Sequence, residues 1–395
     1  MTTTVRRTVG TIVPMAVVLT LMLIPGGALA AGAHHRKKTH AATKSHKHKS
    51  HKKKKKKTTS PTPAPTPAPA TPTVREIPVT FSVVNTNTSQ VPCGTDGKQY
   101  TIAGTLILPP STTPAGVTLY AHGLGFGAWF WNFTAVPGYD YATSEANLGH
   151  ASAVIDRLGY GASSIPSGAA SCVGGQASIL HQIVQDLRSG AYGAGGGAAP
   201  IGFSRVGLAG HSAGGELAEI EAYSFRDINA LAVMDWADQS YSPGALTAFG
   251  EDGAQCVTGG TTQVGGQGSD YASYGQSAAG FDALMFANAA PNVEAAATAM
   301  RTNDPCGDIL SILNAVAVDA LNIGTIKVPV AYVWGTQDAN YIIGTPWWSL
   351  QELLYSESPK VTDITLPGSG HAVTLERTFP TLVSQMSAWL TANGL

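Results

Sequence analysis

Val206-Gly207-Leu208-Ala209-Gly210-His211-Ser212-Ala213-Gly214 runs from an apolar segment into a Gly-x-Ser-x-Gly turn, and Leu217 and Ile220 continue it with helical spacing. The pattern predicts a strand over Val206–Ala209, a sharp turn centred on Ser212 and a helix behind it. A serine on such a turn projects its hydroxyl outward. The flanking glycines let neighbouring backbone come close, and the helix start adds unpaired N–H groups and a favourable dipole. A near match, Gly275-Gln276-Ser277-Ala278-Ala279, lacks both the second glycine and a preceding strand, and is set aside.

A serine hydroxyl is a weak nucleophile at neutral pH, so it needs a base, and the base needs an orienting acid. Beyond residue 76 the chain has five histidines: His122, His150, His181, His211 and His371. His211 adjoins the serine on the turn and is expected to point elsewhere. His181 falls on a predicted helix, His150 is expected at the surface, and His122 belongs to a segment after an early strand. His371 lies in Gly368-Ser369-Gly370-His371, a loop after the last predicted strand, and is the expected base. Asp338 follows the strand ending in Val333-Trp334-Gly335 and is the expected acid, with Asp235 and Asp238 behind the preceding strand as alternatives. The order Ser212, Asp338, His371 is one of the few chain orders in which such a triad is built.

Around these residues short β-type runs alternate with helical patterns, which argues for α/β architecture. Strands are expected at Val79–Val84, Tyr100–Leu108, Val117–Ala121, Ala151–Ile155, Ala230–Met234, Val328–Val333 and Val361–Leu366. Leu180, Ile183, Val184 and Leu187 mark one helical face, and Phe379, Leu382, Met386 and Leu390 a closing helix. From about 240 to 326 the rhythm breaks. This stretch is rich in Gly, Ala and Ser at first and turns helical near Asn292–Met300 and Ile309–Leu321, and an insertion of that length between core strands is expected to cap a site.

His122-Gly123-Leu124-Gly125 after an early strand, Asp156-Arg157-Leu158-Gly159-Tyr160-Gly161 after the next, the Ser212 turn and the Asp338/His371 pair together resemble the α/β-hydrolase superfamily over roughly residues 100–395. The resemblance implies an α/β-hydrolase fold: a mostly parallel central sheet flanked by helices, with a cap insertion before the strand that carries the acid. It also implies that the backbone N–H groups of Leu124 and Ala213 form the oxyanion hole, and that Asp156–Gly161 is a structural turn supporting the site from below. A serine at the nucleophile position disfavours the epoxide hydrolase and dehalogenase chemistries, which use aspartate there. Acyl transfer to water through an acyl-enzyme remains, by an esterase or lipase-like enzyme, with a peptidase or amidase of the same fold as the alternative. Phe126, Trp129, Phe130, Trp131, Trp236, Trp347 and Trp348 near the site lean the reading towards a hydrophobic ester, although each alone reads as packing. A surface-binding protein with an inactive hydrolase body is the reading from a different class.

The rest of the sequence concerns location. Residues 1–30 read as an export signal: Arg6 and Arg7, an apolar run too short for a span of ~20 residues, then Ala28-Leu29-Ala30. Residues 31–57 are a basic arm with 12 fixed positive charges and six histidines from 34 onward, expected to stay extended and to meet an anionic surface polymer or acidic lipid. Residues 58–77 read as a Pro/Thr/Ala linker, and 78–395 as the catalytic domain. No acidic residue precedes Glu76, whereas 76–395 holds 9 basic and 25 acidic residues, a net of −16 that excludes nucleic-acid binding by this body. Four cysteines in an exported body favour two disulfides, with Cys93–Cys172 and Cys256–Cys306 the expected pairs. No zinc-type spacing and no dinucleotide or phosphate loop occurs, so no metal and no organic cofactor is expected.

Overall fold

The computed structural model describes residues 73–110, 112–343 and 346–395, with the side chains of 346–349 excepted. The expected signal, arm and most of the linker lie outside the described residues. So do the side chains of Trp347 and Trp348.

In chain order the elements are β1 (Arg75–Val84), β2 (Gln99–Leu108), β3 (Gly116–Ala121), α1 (Tyr141–Asn147), β4 (Ser152–Ile155), α2 (Val173–Ser189), β5 (Gly193–Ala194), β6 (Arg205–His211), α3 (Ala213–Phe225) and β7 (Ala230–Met234). There follow α4 (Pro243–Val257), β8 (Tyr271–Ala272), α5 (Ala278–Met285), α6 (Pro291–Ala299), β9 (Asp304–Pro305), α7 (Cys306–Asn322), β10 (Val330–Gly335), α8 (Pro346–Leu354), β11 (Val361–Leu366) and α9 (Phe379–Ala392).

A nine-stranded sheet in the order β11-β10-β7-β6-β3-β4-β2-β1-β5 forms the centre. The pairings from β11 through β4 are parallel, and those of β4–β2, β2–β1 and β1–β5 are antiparallel. Strands buried on both faces read as continuous apolar runs, which is why β3, β4 and β7, buried along their whole length, stand out in the sequence. Strands β6, β7, β10 and β11 lie side by side in one half of the sheet, so their C-terminal ends, parallel to one another, open onto the same edge.

Three expectations need correction. The linker does not extend to residue 77, because β1 is already paired with β2 at Arg75↔Leu108. Pro78 disguised this start. Its carbonyl accepts from the Gly195 N–H beside the two-residue edge strand β5, a position where a missing N–H costs little. The inserted stretch between β7 and β10 is more helical than its composition suggests, since α4 and α5 lie in the part read as Gly/Ala/Ser-rich. Third, His150 is buried rather than superficial. Its Nδ1 lies 2.7 Å from the carbonyl oxygen of Leu395 and its Nε2 2.9 Å from Ser387 Oγ.

Both expected disulfides are formed. Cys93–Cys172 ties the loop after β1 to the start of α2, and Cys256–Cys306 ties the end of α4 to the first residue of α7.

Candidate active site

Ser212 links β6 directly to α3 with φ 54° and ψ −130°, a conformation that costs a non-glycine residue on the order of 1–3 kcal/mol and persists only where the surroundings enforce it. Here they do. The Ser212 N–H donates to the Met234 carbonyl at 2.8 Å, and the Ser212 carbonyl accepts from the Gly215 N–H at 2.7 Å. A Cβ at Gly210 would lie 1.9 Å from the Gly214 carbonyl oxygen, and one at Gly214 2.4 Å from that of Ala121. The turn therefore closes only with glycine on both sides of the serine. The Ser212 side chain is half-buried, and its Oγ makes no hydrogen bond among the described residues.

His371 and Asp338 are brought together from different loops, with His371 Nδ1 2.7 Å from Asp338 Oδ2 and both side chains buried. Asp338 Oδ1 accepts from the Asn340 N–H at 2.8 Å and from Asn340 Nδ2 at 3.3 Å, so both carboxylate oxygens are occupied. The His371 carbonyl lies 2.8 Å from His211 Nε2, and because a carbonyl oxygen only accepts, His211 carries its proton there. His211 thus turns away from the serine, as its place on the turn implies, and braces the His371 loop. Phe130 stacks on its ring at 4.2 Å, and burial keeps it neutral by holding its pKa well below the usual histidine range.

Of the alternative acids, Asp238 is engaged elsewhere, with Trp236 Nε1 at 3.2 Å and Gln351 Nε2 at 3.4 Å. Asp235 is nearer. One of its oxygens, one of Asp338 and a ring nitrogen of His371 all lie within 4.8 Å of one another. Its Oδ1 accepts from the Gly335 N–H at 2.8 Å, and burial, reinforced by the Asp338 charge, raises its pKa well above the carboxylate range. Asp235 is therefore a second buried carboxyl beside the pair.

The segment after β3 passes against the serine, and a Cβ at Gly123 would lie 2.7 Å from Ser212 Cβ. Leu124 follows it, and Ala213 opens α3. Among the described residues neither N–H donates a hydrogen bond. A fully buried polar network pins this segment from beneath. The Arg157 N–H donates to His122 Nε2 at 3.1 Å, and His122 Nδ1 donates to the Gly123 carbonyl at 2.9 Å. The Arg157 guanidinium reaches Asp308 Oδ2 at 3.1 Å, the Tyr160 hydroxyl at 2.8 Å and the Gly123 carbonyl at 3.4 Å. Asp304 Oδ1 accepts from the Gly125 N–H at 2.7 Å and from the Tyr160 hydroxyl at 3.0 Å. Burial lifts Asp304 to about 7 against the opposing pull of the Gly125 hydrogen bond and Arg157. The Asp156–Gly161 turn does support the site from below. The partners Asp304 and Asp308, from the insertion, had no signal in the sequence beyond being acids in a Gly-poor junction.

A model of the alpha/beta hydrolase family matches residues 119–383, more than half of the sequence. The chain belongs to the alpha/beta hydrolase family. Solved structures agree on the fold. A thermophilic esterase from Thermogutta terrifontis superposes with a TM-score of 0.56 at 18% identity over 80% of this chain and 100% of its own. An enol-lactonase from Burkholderia xenovorans LB400 gives 0.53 at 16% over 74% and 97%. A monoacylglycerol lipase from Paleococcus ferrophilus gives 0.50 at 16% over 75% and 100%. No curated protein matches the sequence. In this hydrolase most of the aromatic residues expected near the substrate are core: Phe126, Phe130, Trp131 and Trp236 are fully buried, and Trp129 is partly so. Phe126 also packs on Phe281 of α5 with ring centroids 5.4 Å apart, joining the insertion to the segment after β3.

Proposed function

We propose that the protein is an exported serine hydrolase that cleaves carboxylic esters, with Ser212 as nucleophile, His371 as base and Asp338 as the acid that orients it. Ser212 Oγ attacks the ester carbonyl as His371 Nε2 takes its proton. The resulting oxyanion is met by the N–H groups of Leu124 and Ala213, two preorganised donors of a kind whose loss singly costs roughly 10²–10³ in kcat. His371 passes the proton to the departing alcohol, takes one from water as that water attacks the acyl-enzyme, and returns it to Ser212 Oγ as the bond to the acyl group breaks and the acid leaves. Asp338 keeps the Nδ1–H tautomer and stabilises the cation.

What supports this reading is a strained serine on a strand-to-helix turn, together with a buried imidazole–carboxylate pair, 2.7 Å apart, carried by the loops after β10 and β11 of the same sheet. The inserted helices form a cap over the site. Residues 1–30 direct export, in keeping with two disulfides, and the arm at 31–57 holds the body near an anionic surface through the linker that follows. A small-molecule or lipid-like ester is the substrate class of this reading.

Hydrolysis of p-nitrophenyl esters of graded chain length, compared with aminoacyl-anilides, tests the reading. Turnover of esters with inert anilides is expected. Turnover of anilides with inert esters would replace it with a peptidase or amidase.

A further inference from the structure

Far from the nucleophile, α2 packs on α3, and three metal-ligating side chains meet at that seam. His181 on α2, Glu221 on α3 and Asp227 in the turn before β7 each place one donor atom within 4.8 Å of the other two. His181 Nδ1 is 2.9 Å from Asp227 Oδ2 and 4.0 Å from Glu221 Oε1. Glu221 is fully buried, yet neither carboxylate oxygen accepts a hydrogen bond among the described residues. A buried carboxylate without a partner is costly. The charge of Arg188 offsets part of that cost, but its hydrogen bonds go to the Asp227 carbonyl, Asn229 Oδ1 at 2.8 Å and the Ser204 carbonyl at 3.2 Å rather than to Glu221.

The remaining geometry is that of a ligand set. His181 Nδ1 approaches Asp227 and, more distantly, Glu221 without making a hydrogen bond among the described residues. Its ring is held flat on Phe225, with centroids 4.0 Å apart and planes 12° apart, so its direction is fixed. Gln185 Nε2 donates to Asp227 Oδ2 and orients that carboxylate, as outer partners do for metal ligands. Donors at about 2.0–2.1 Å from a tetrahedral ion lie roughly 3.3 Å apart, between the two separations found here. The His181 side chain is 29% exposed, which leaves a solvent side for a water ligand.

We propose that His181, Glu221 and Asp227 bind a divalent transition-metal ion of the zinc type, which clips α2 to α3 and to the turn that leads into β7. One imidazole and two carboxylates suit such an ion and neutralise its charge. Glu221 lies nine residues beyond Ser212, about 14 Å along the helix, so the ion is structural and stands outside the ester chemistry.

Thermal melting of the full chain, stripped with EDTA and then given zinc chloride, tests this. At a hundredfold excess over Kd, a folded domain of this size gains about 4 °C in Tm. The gain is expected in the wild type and absent in His181→Gln and Glu221→Gln, with turnover of a soluble ester unchanged in both. Zinc on the six histidines of the arm does not stabilise the fold, and equilibrium dialysis is expected to show one ion fewer per chain in each variant. Without metal, Glu221→Gln is expected to melt close to the wild type, because burial raises the Glu221 pKa well above the carboxylate range and the amide matches an uncharged carboxyl in shape. If that variant does not fold, His181→Gln, at a partly exposed side chain, carries the test alone. An unchanged wild-type Tm, a gain of equal size in the variants, or an equal gain with magnesium would overturn the proposal.

Discussion

Replacing Asp304 by alanine cuts a link between the insertion and the segment after β3. Asp304 is fully buried at the junction of β9 with α7, next to the disulfide-bonded Cys306. Truncation removes the acceptor of the Gly125 N–H at 2.7 Å and of the Tyr160 hydroxyl at 3.0 Å, in surroundings that exclude water. Each stranded donor costs about 1–3 kcal/mol. Arg157 also loses one of two facing carboxylates and keeps Asp308 at 3.1 Å. The expected loss of stability is about 3–5 kcal/mol. Gly125 directly follows Leu124, so freeing its N–H also loosens a proposed oxyanion donor. Complete loss of such a donor, roughly 10²–10³ in kcat, is the ceiling. A fall of about 10–100-fold in kcat with little change in KM is therefore expected, measured on a p-nitrophenyl ester well below the melting temperature of the variant. Asp304→Asn keeps an oxygen acceptor for Gly125 and is expected to recover most of the rate. Wild-type kcat in Asp304→Ala, alongside the expected loss of stability, would show that Asp304 supports only the fold.

Other perturbations reach different parts of the account. Ser212→Ala and His371→Ala are each expected to lower kcat by roughly 10⁴-fold or more with the melting temperature nearly unchanged; a residual rate near wild type in either would displace that residue from its role. Asp338→Asn is expected to lower the rate strongly, and an untouched rate would pass the role to the neighbouring Asp235. Burial raises Glu145 and Asp319 to about 8 and Asp238 to about 7, far above their unfolded values. The folded state thus holds protons that the unfolded chain releases from about pH 4 upward, and that stabilisation is lost as pH rises through 7–8. Melting temperature is expected to fall between pH 5 and pH 9, and a flat or rising profile would contradict the protonated state of these carboxyls. Deleting residues 34–57 is expected to leave turnover of a soluble ester unchanged and to weaken retention on an anionic surface at low salt, with added salt giving the same loss in the intact chain; equal retention of both forms would remove the tether.

How far the sequence could be read followed from how local each signal is. Parallel strands buried on both faces are continuous apolar runs, so Ala230–Met234 was legible to the residue, while the edge strand Val361–Leu366, only partly buried, was legible from its β-branched residues. The serine turn was equally open, since its glycines answer contacts within a few residues of the serine and with the end of the adjacent strand β3. α4 was hidden by Gly244, Gly250 and Gly253. What holds it is a Ser242 cap with Pro243 in the first turn, packing on α7 and the Cys256–Cys306 bond, much of which is distant in sequence. His150 looked superficial because its partners, Leu395 and Ser387, lie more than 230 residues away. The aromatic run from Phe126 to Trp131 has the composition of an apolar pocket, and only packing against β3, α1 and His211 marks it as core. Asp304 and Asp308 belong to the same class of tertiary fact.

The most direct test of the central claim is covalent. The folded protein is treated with a fluorophosphonate and the modified residue located by peptide mass spectrometry. A single adduct on Ser212, formed far more slowly in His371→Ala, is the predicted result. A protein that stays unlabelled while folded, or that carries its adduct on another serine, would contradict the account.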